Sequence, residues 1–347
     1  MRSAGAIYAV LAASLLVLAA CAAPTPAPSS GTGAGPTAGP ATASAPVPLR
    51  ATVNWTAING AQAGIWMAHE YGLFQEQGLD VELTHITSTS RVLQAMMAGE
   101  LHLSTMDVGV TVLASLEGAD VVMLFGAANR MIFSVLSQPS IQQPQELRGR
   151  TVGITRRAAA SHTALLVAAK EWGMTPDRDF ALRELGEASA ILAGLQAGQI
   201  DAGVISSPTS TVTRQAGFRE LINLYTDGPD YPSIVVGAPR AWVVANEEAV
   251  RRFARAYVLG LKRFKEDPAA GRAVYQKYFQ IDDPTVIEQT YAEYAASLGP
   301  LPYISEAGLA RMLTDMAADE PRLAGRQPAD WLDTRFLREL EAAGFGS

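Results

Sequence analysis

The chain has 347 residues, 48% of them hydrophobic, and 27 Lys and Arg stand against 34 Asp and Glu for a formal charge of −7. That length and apolar share allow one large or two medium domains with a full core. The acidic balance contains no basic run and so excludes nucleic acid as a partner, because phosphate binding needs clustered Lys and Arg. Four His and one Cys leave few groups for metal or thiol chemistry, and no disulfide.

Met1-Arg2 is a short cationic start, followed by an apolar run from Ala6 to Ala20. The run is too short to span a bilayer and ends in small residues, so residues 1–20 read as a signal peptide. Leu18-Ala19-Ala20-Cys21 resembles the lipobox of bacterial lipoproteins. That resemblance implies cleavage before Cys21 and lipid modification of Cys21. The plainer alternative is a secretory signal with a chance Cys. Residues 22–47 are Ala, Pro, Thr, Ser, Gly and one Val. Such a segment cannot repay the entropy of ordering, and residues 21–47 read as a lipid-attached tether reaching roughly 30 Å.

The body begins near residue 48. Ala51–Trp55 reads as a strand, Ala61–Tyr71 as a helix ended by Gly72, Leu79–Ile86 as a strand and Arg91–Ala98 as a helix. Strands follow at Leu101–Met106, Val121–Leu124 and Thr151–Thr155, then a helix from Ala158 to Trp172 closed by Gly173. Val92–His102 lines up with Ile191–Asp201, each copy a short apolar helix ending at Ala-Gly before a brief strand. One repeat at this spacing points to two similarly built α/β lobes, not a solenoid. Beyond Asn246 the pattern is helical: Glu247–Phe264, Ala269–Tyr278, Pro284–Ser297, Ser305–Met316 and Thr334–Ala343. Alternating strands and helices predict mostly parallel sheets flanked by helices.

Three segments carry a family resemblance. Ile65–Glu82, with Gly72-Leu73-Phe74 and Gly78-Leu79, resembles a signature of the nitrate, sulfonate, taurine and thiamine-precursor binding proteins. Glu146–Gly153 and Leu195–Ala202 are similar to two further signatures of that family, in the expected order. The resemblance implies an α/β, two-lobed type II periplasmic-binding-protein fold with extra C-terminal helices and a ligand between the lobes. Lobe one is expected over 48–133 and 236–347, and lobe two over 134–235.

Open α/β sheets bind ligands at the carboxyl ends of their strands, near helix N-termini whose free N–H groups suit acceptor or anionic atoms. The loops meeting that description hold Trp55-Thr56, Ser88-Thr89-Ser90, Met106-Asp107, Ser206-Ser207, and Thr155-Arg156-Arg157 through Ser161-His162. Two readings stand at several of these. The Ser88–Ser90 hydroxyls either cap a helix or meet ligand. Trp55 either stacks on a ligand ring or packs in the core, and the two Arg either pair with an acidic ligand group or face solvent. The family resemblance implies capture of a small organic or oxyanionic solute, of sulfonate, taurine, nitrate or carboxylate type, for delivery to an ABC permease and its ATPase. On this reading the protein acts as a monomer held outside the cytoplasm by its N-terminal lipid, with no cofactor, metal or catalytic residue. The alternatives are a pyrimidine-precursor binder, an enzyme on the same fold, or a receptor for a signalling partner. The body has no Cys for the thiol chemistry of some relatives, and His69, His85, His102 and His162 form no triad or metal-ligand spacing.

Overall fold

The computed structural model describes residues 48–157 and 159–345. The expected signal peptide, lipidation site Cys21 and tether lie outside the described residues. The first lobe runs through β1 (Leu49–Trp55), a 3-10 turn at Gly60–Gln62, α1 (Ala63–Glu70), α2 (Leu73–Glu76), β2 (Leu79–His85), α3 (Thr89–Met97), β3 (Leu103–Asp107), α4 (Val108–Leu116) and β4 (Val121–Ala128). The second holds β5 (Phe133–Ser137), β6 (Thr151–Ile154), α5 (Ala160–Glu171), β7 (Ala181–Glu184), α6 (Ala188–Gln196), β8 (Ala202–Ser206), α7 (Thr209–Gln215) and β9 (Arg219–Asn223). The chain then returns through β10 (Ile234–Pro239) to α8 (Arg240–Ala245), α9 (Glu247–Glu266), α10 (Pro268–Phe279), α11 (Pro284–Ser297), α12 (Glu306–Met316) and α13 (Arg335–Ala342). None of the described helices is long and apolar enough to cross a membrane.

Two five-stranded sheets result, ordered β2-β1-β3-β10-β4 and β7-β6-β8-β5-β9. β1 pairs in parallel with β2 and β3, and β6 with β7 and β8. β10 and β5 are the antiparallel members, and each is supplied by the chain as it crosses between lobes. The repeat is therefore structural. Thr89 starts α3 where Ala188 starts α6, and Leu103 starts β3 where Ala202 starts β8, 99 residues apart in both cases. Both helices end at a glycine in the left-handed region, Gly99 at φ 77° and Gly198 at φ 66°, a conformation that costs glycine little.

The largest core gathers around α1, whose residues Ala63–Ala68 are all buried between sheet one and the C-terminal helices. Close approach of α9 to α1 depends on two glycines. A Cβ on Gly260 would sit 2.7 Å from the Gly64 carbonyl oxygen, and one on Gly64 would sit 2.4 Å from the Tyr257 ring. The two lobes are joined by adjacent crossings. Tyr231 N–H donates to the Asn129 carbonyl and Ser233 N–H to that of Ala128, both at 2.9 Å.

One ionisable side chain joins β1 to α8. His102 accepts the Thr52 N–H on Nδ1 at 2.9 Å and stacks on Trp242 of α8. Burial lowers its pKa, so the neutral form is favoured in the folded chain. A folded-state pKa below the unfolded one gives stability that is present above the unfolded value and lost as pH falls through the folded one. The melting temperature should accordingly drop more steeply from pH 7 to pH 5 in the native chain than in His102→Gln, which keeps an acceptor but cannot titrate. Parallel slopes in the two proteins would remove His102 from this account.

Candidate functional site

The register of the crossing strands shows where the loops collect. Ile234, at the start of β10, pairs with Asp107 at the carboxyl end of β3, and Phe133, at the start of β5, pairs with Ser206 at the carboxyl end of β8. Both sheets thus present their carboxyl ends, with the loops that follow them, toward the crossings. The segments after β1, β2 and β3 and those after β6, β7 and β8 stand at that edge.

Several side chains expected at a ligand are committed inside the protein. Trp55 pairs in register with His85, and their rings stack at 3.5 Å and 7° on the face of the sheet that carries α1. The Trp55 ring also meets Trp66 and Tyr278 edge-on at 5.2 and 5.7 Å and is 9% exposed, so it packs in the core. Met106 is wholly buried with Val92, Leu93 and Met96 beneath α3. Thr56 is buried, and Thr105 Oγ1 both accepts its N–H at 3.0 Å and shares a hydrogen bond with its hydroxyl at 3.2 Å. Ser161 turns back on the loop, accepting the Thr155 N–H at 3.0 Å and meeting Thr155 Oγ1 at 2.7 Å. The Ser207 hydroxyl donates to Glu293 of α11 at 2.8 Å. Thr89 Oγ1 accepts the Asp107 N–H at 3.1 Å.

Asp107 caps α4 through a 2.9 Å bond from the Val110 N–H. Burial raises its carboxyl pKa, opposed by hydrogen bonds from the Val110 and Gly109 backbones. The arginine pair divides. Arg157 forms a two-pronged bridge to Asp177, at 2.7 and 2.8 Å, and its own N–H donates to Glu184. These acceptors raise its already high pKa, the Asp177 hydrogen bond most. His162 is half-buried, and burial, then the Arg157 charge, lowers its pKa.

What stays uncommitted forms a consistent set. Ser88 occupies the N-cap of α3 with extended backbone, yet its side chain makes no capping bond. Among the described residues, the Ser88, Ser90 and Ser206 hydroxyls have no hydrogen-bond partner and the exposed Arg156 has no carboxylate partner. The N-termini of α3 and α5 lack a side-chain cap, so backbone N–H groups add to the donors. The edge offers donors from both lobes, the Arg156 guanidinium among them, an environment suited to an acceptor-rich or anionic solute.

Sequence reasoning passed over Gln62. It lies in the 3-10 turn after β1, fully buried, and among the described residues neither atom of its amide has a partner. The Tyr257 hydroxyl is in the same condition. An unmet buried polar group costs about 1–3 kcal/mol. The available signal was its position as the one polar side chain in Gly60-Ala61-Gln62-Ala63-Gly64-Ile65-Trp66.

No curated protein sequence matches the chain. The profile of the NMT1/THI5-like family matches residues 59–271, more than half of the chain. The chain belongs to the NMT1/THI5-like family. The match opens at Asn59, whose side chain accepts the Ala61 N–H at the turn carrying Gln62, and takes in Ser88–Ser90, Arg156 and Ser206. Trp55, Thr56 and Glu293 fall outside it.

Solved structures share the two-lobed fold of this NMT1/THI5-like chain. The periplasmic aliphatic sulphonate binding protein SsuA from Escherichia coli matches with a TM-score of 0.67 at 19% identity, over 81% of this chain and 95% of that one. The alkanesulfonate-binding protein SsuA from Xanthomonas axonopodis pv. citri, bound to MOPS, gives 0.63 at 18%, over 81% and 96%. The desulfurization enzyme DSZB gives 0.64 at 14%, over 85% and 100%. The fold is that of type II periplasmic binding proteins, and it carries binding and catalysis alike.

Proposed function

We propose that this chain is an extracytoplasmic solute-binding lipoprotein that captures a small oxyanionic solute between its lobes and delivers it to an ABC permease and its ATPase. The observation that carries this reading is the pairing of uncommitted donors at the strand ends, Ser88 and Ser90 on one lobe with Arg156 and Ser206 on the other. Sulfonate, taurine, nitrate and carboxylate groups all present acceptors to such donors. Lipidation of Cys21, with residues 22–47 as tether, keeps the body outside the cytoplasm near the permease. Solute that touches both lobes favours the closed arrangement, since a ligand shifts an equilibrium by its differential affinity for the two states. The pyrimidine-precursor alternative has less support, because the Trp55 ring is already covered by His85, Trp66 and Tyr278.

A thermal-shift panel of alkyl sulfonates, taurine, nitrate, aromatic acids and aminopyrimidines tests the reading. A solute at 100 times its Kd stabilises the folded chain by about 2.7 kcal/mol. A shift confined to the acids is expected, and a flat response across them would refute it.

Gln62 supplies a second test of the same site. Gln62→Leu removes a buried amide that is unpartnered among the described residues, so the variant should melt slightly higher than the native chain. If Gln62 meets the solute, the variant should also bind it about tenfold more weakly, a loss of roughly 1.4 kcal/mol. Unchanged affinity with raised stability would make Gln62 a purely internal residue.

A further inference from the structure

Helix α11 belongs to lobe one by its packing. Ile287, Tyr291 and Tyr294 are buried in the core around α1, and the Tyr291 hydroxyl donates to the Phe264 carbonyl of α9 at 2.9 Å. Tyr294 packs so tightly on the turn after β1 that a Cβ on Gly60 would sit 2.2 Å from its ring. The preceding residue points the other way, into lobe two.

Glu293 has a side chain only 9% exposed. Its Oε2 accepts from Ser207 Oγ at 2.8 Å, its Oε1 accepts from Asn223 Nδ2 at 3.3 Å, and Arg214 lies 3.6 Å away. All three partners belong to lobe two, in the β8–α7 loop, β9 and α7. A nearly buried carboxylate is costly unless it is paired and hydrogen-bonded, and here every partner is on the opposite lobe. Separating the lobes at this point would strand the charge. Tyr225, in the crossing after β9, also packs on Tyr294 at 4.7 Å between ring centroids.

We propose that α11 is a latch: Glu293 holds lobe two on lobe one and sets how far the cleft opens before any solute arrives. The hydroxyl it grips, Ser207, is next to Ser206, so the latch also fixes one of the donor loops. The proposal concerns the solute-free protein and stands apart from the identity of the solute.

The test is a distance measurement by electron spin resonance on the full chain without solute. Cys21→Ser leaves no native thiol, and nitroxides are placed at Met97→Cys and Gln196→Cys, exposed and equivalent positions on α3 and α6. Loss of a hydrogen bond to a charged group shifts an equilibrium about tenfold or more. Glu293→Ala is therefore expected to move the distance distribution to longer values, as is Ser207→Ala, with the double variant showing less than the sum of the two. Glu293→Gln keeps an acceptor for Ser207 and should stay close to the native distribution. Circular dichroism of each variant confirms that it is folded. A folded Glu293→Ala protein with the native distribution would overturn the latch, whatever the solute panel shows, and strictly additive shifts would overturn the Ser207 contact as its means.

Discussion

Arg156→Ala is expected to weaken binding of an anionic solute by about tenfold to a hundredfold, while Arg157→Ala leaves affinity nearly unchanged. The two residues are neighbours with the same side chain, and the difference between them is their partners. Arg157 already spends its guanidinium on Asp177, whereas among the described residues Arg156 has no carboxylate to pair with. A hydrogen bond to a charged group contributes about 1.5–3 kcal/mol, which sets the size of the expected loss. Removing Arg157 takes away an ion pair about half exposed on both sides, which solvent screens and which contributes little to stability. Titration calorimetry on both variants decides the matter. Equal affinities in Arg156→Ala and the native chain would show that this guanidinium does not meet the solute, and a selective loss in Arg157→Ala would reverse the assignment.

Trp66→Ala should be the most damaging single change in the core. The indole is fully buried, stacks on Tyr278 at 4.4 Å and 9°, and meets Trp55, Tyr275 and Phe279 edge-on. Emptying such a site costs about 3–5 kcal/mol in lost transfer energy and cavity formation. In a chain of this size that lowers the melting temperature by roughly 10 °C. Trp66→Phe should cost much less. It keeps a ring against Tyr278, and the indole N–H it deletes has no hydrogen-bond partner among the described residues. Thermal unfolding followed by circular dichroism separates the two variants. Near-equal melting temperatures would mean that the stack around Trp66 contributes little.

The repeat made the two-lobed plan legible. A helix ending at Ala-Gly before a short strand is a local pattern, and α3–β3 and α6–β8 match it residue for residue. The antiparallel strands β5 and β10 were not foreseen. Each follows directly on a crossing of the chain from one lobe to the other, and β10 is buried along its whole length, so no alternation marks it. Ends of elements shifted by a few residues, as with β4, which runs to Ala128 where the sequence suggested Leu124. At the site, loop positions were readable from strand ends, but the commitments of individual side chains were not. The bond between Ser161 and Thr155, the stack of His85 on Trp55 and the bridge from Arg157 to Asp177 depend on which way each side chain turns. Glu293 and Ser207 are 86 positions apart, and no local pattern announces their contact.

A solute held by both lobes at once should protect backbone amides on each of them from hydrogen exchange. The chain would be exchanged with and without the acid that stabilises it best in the thermal panel. Backbone amides at the start of α3, near Ser88–Arg91, and around Thr155–Ser161 before and into α5 should slow together at the same solute concentration. Protection confined to one lobe, or appearing only away from these helix starts, would contradict capture between them.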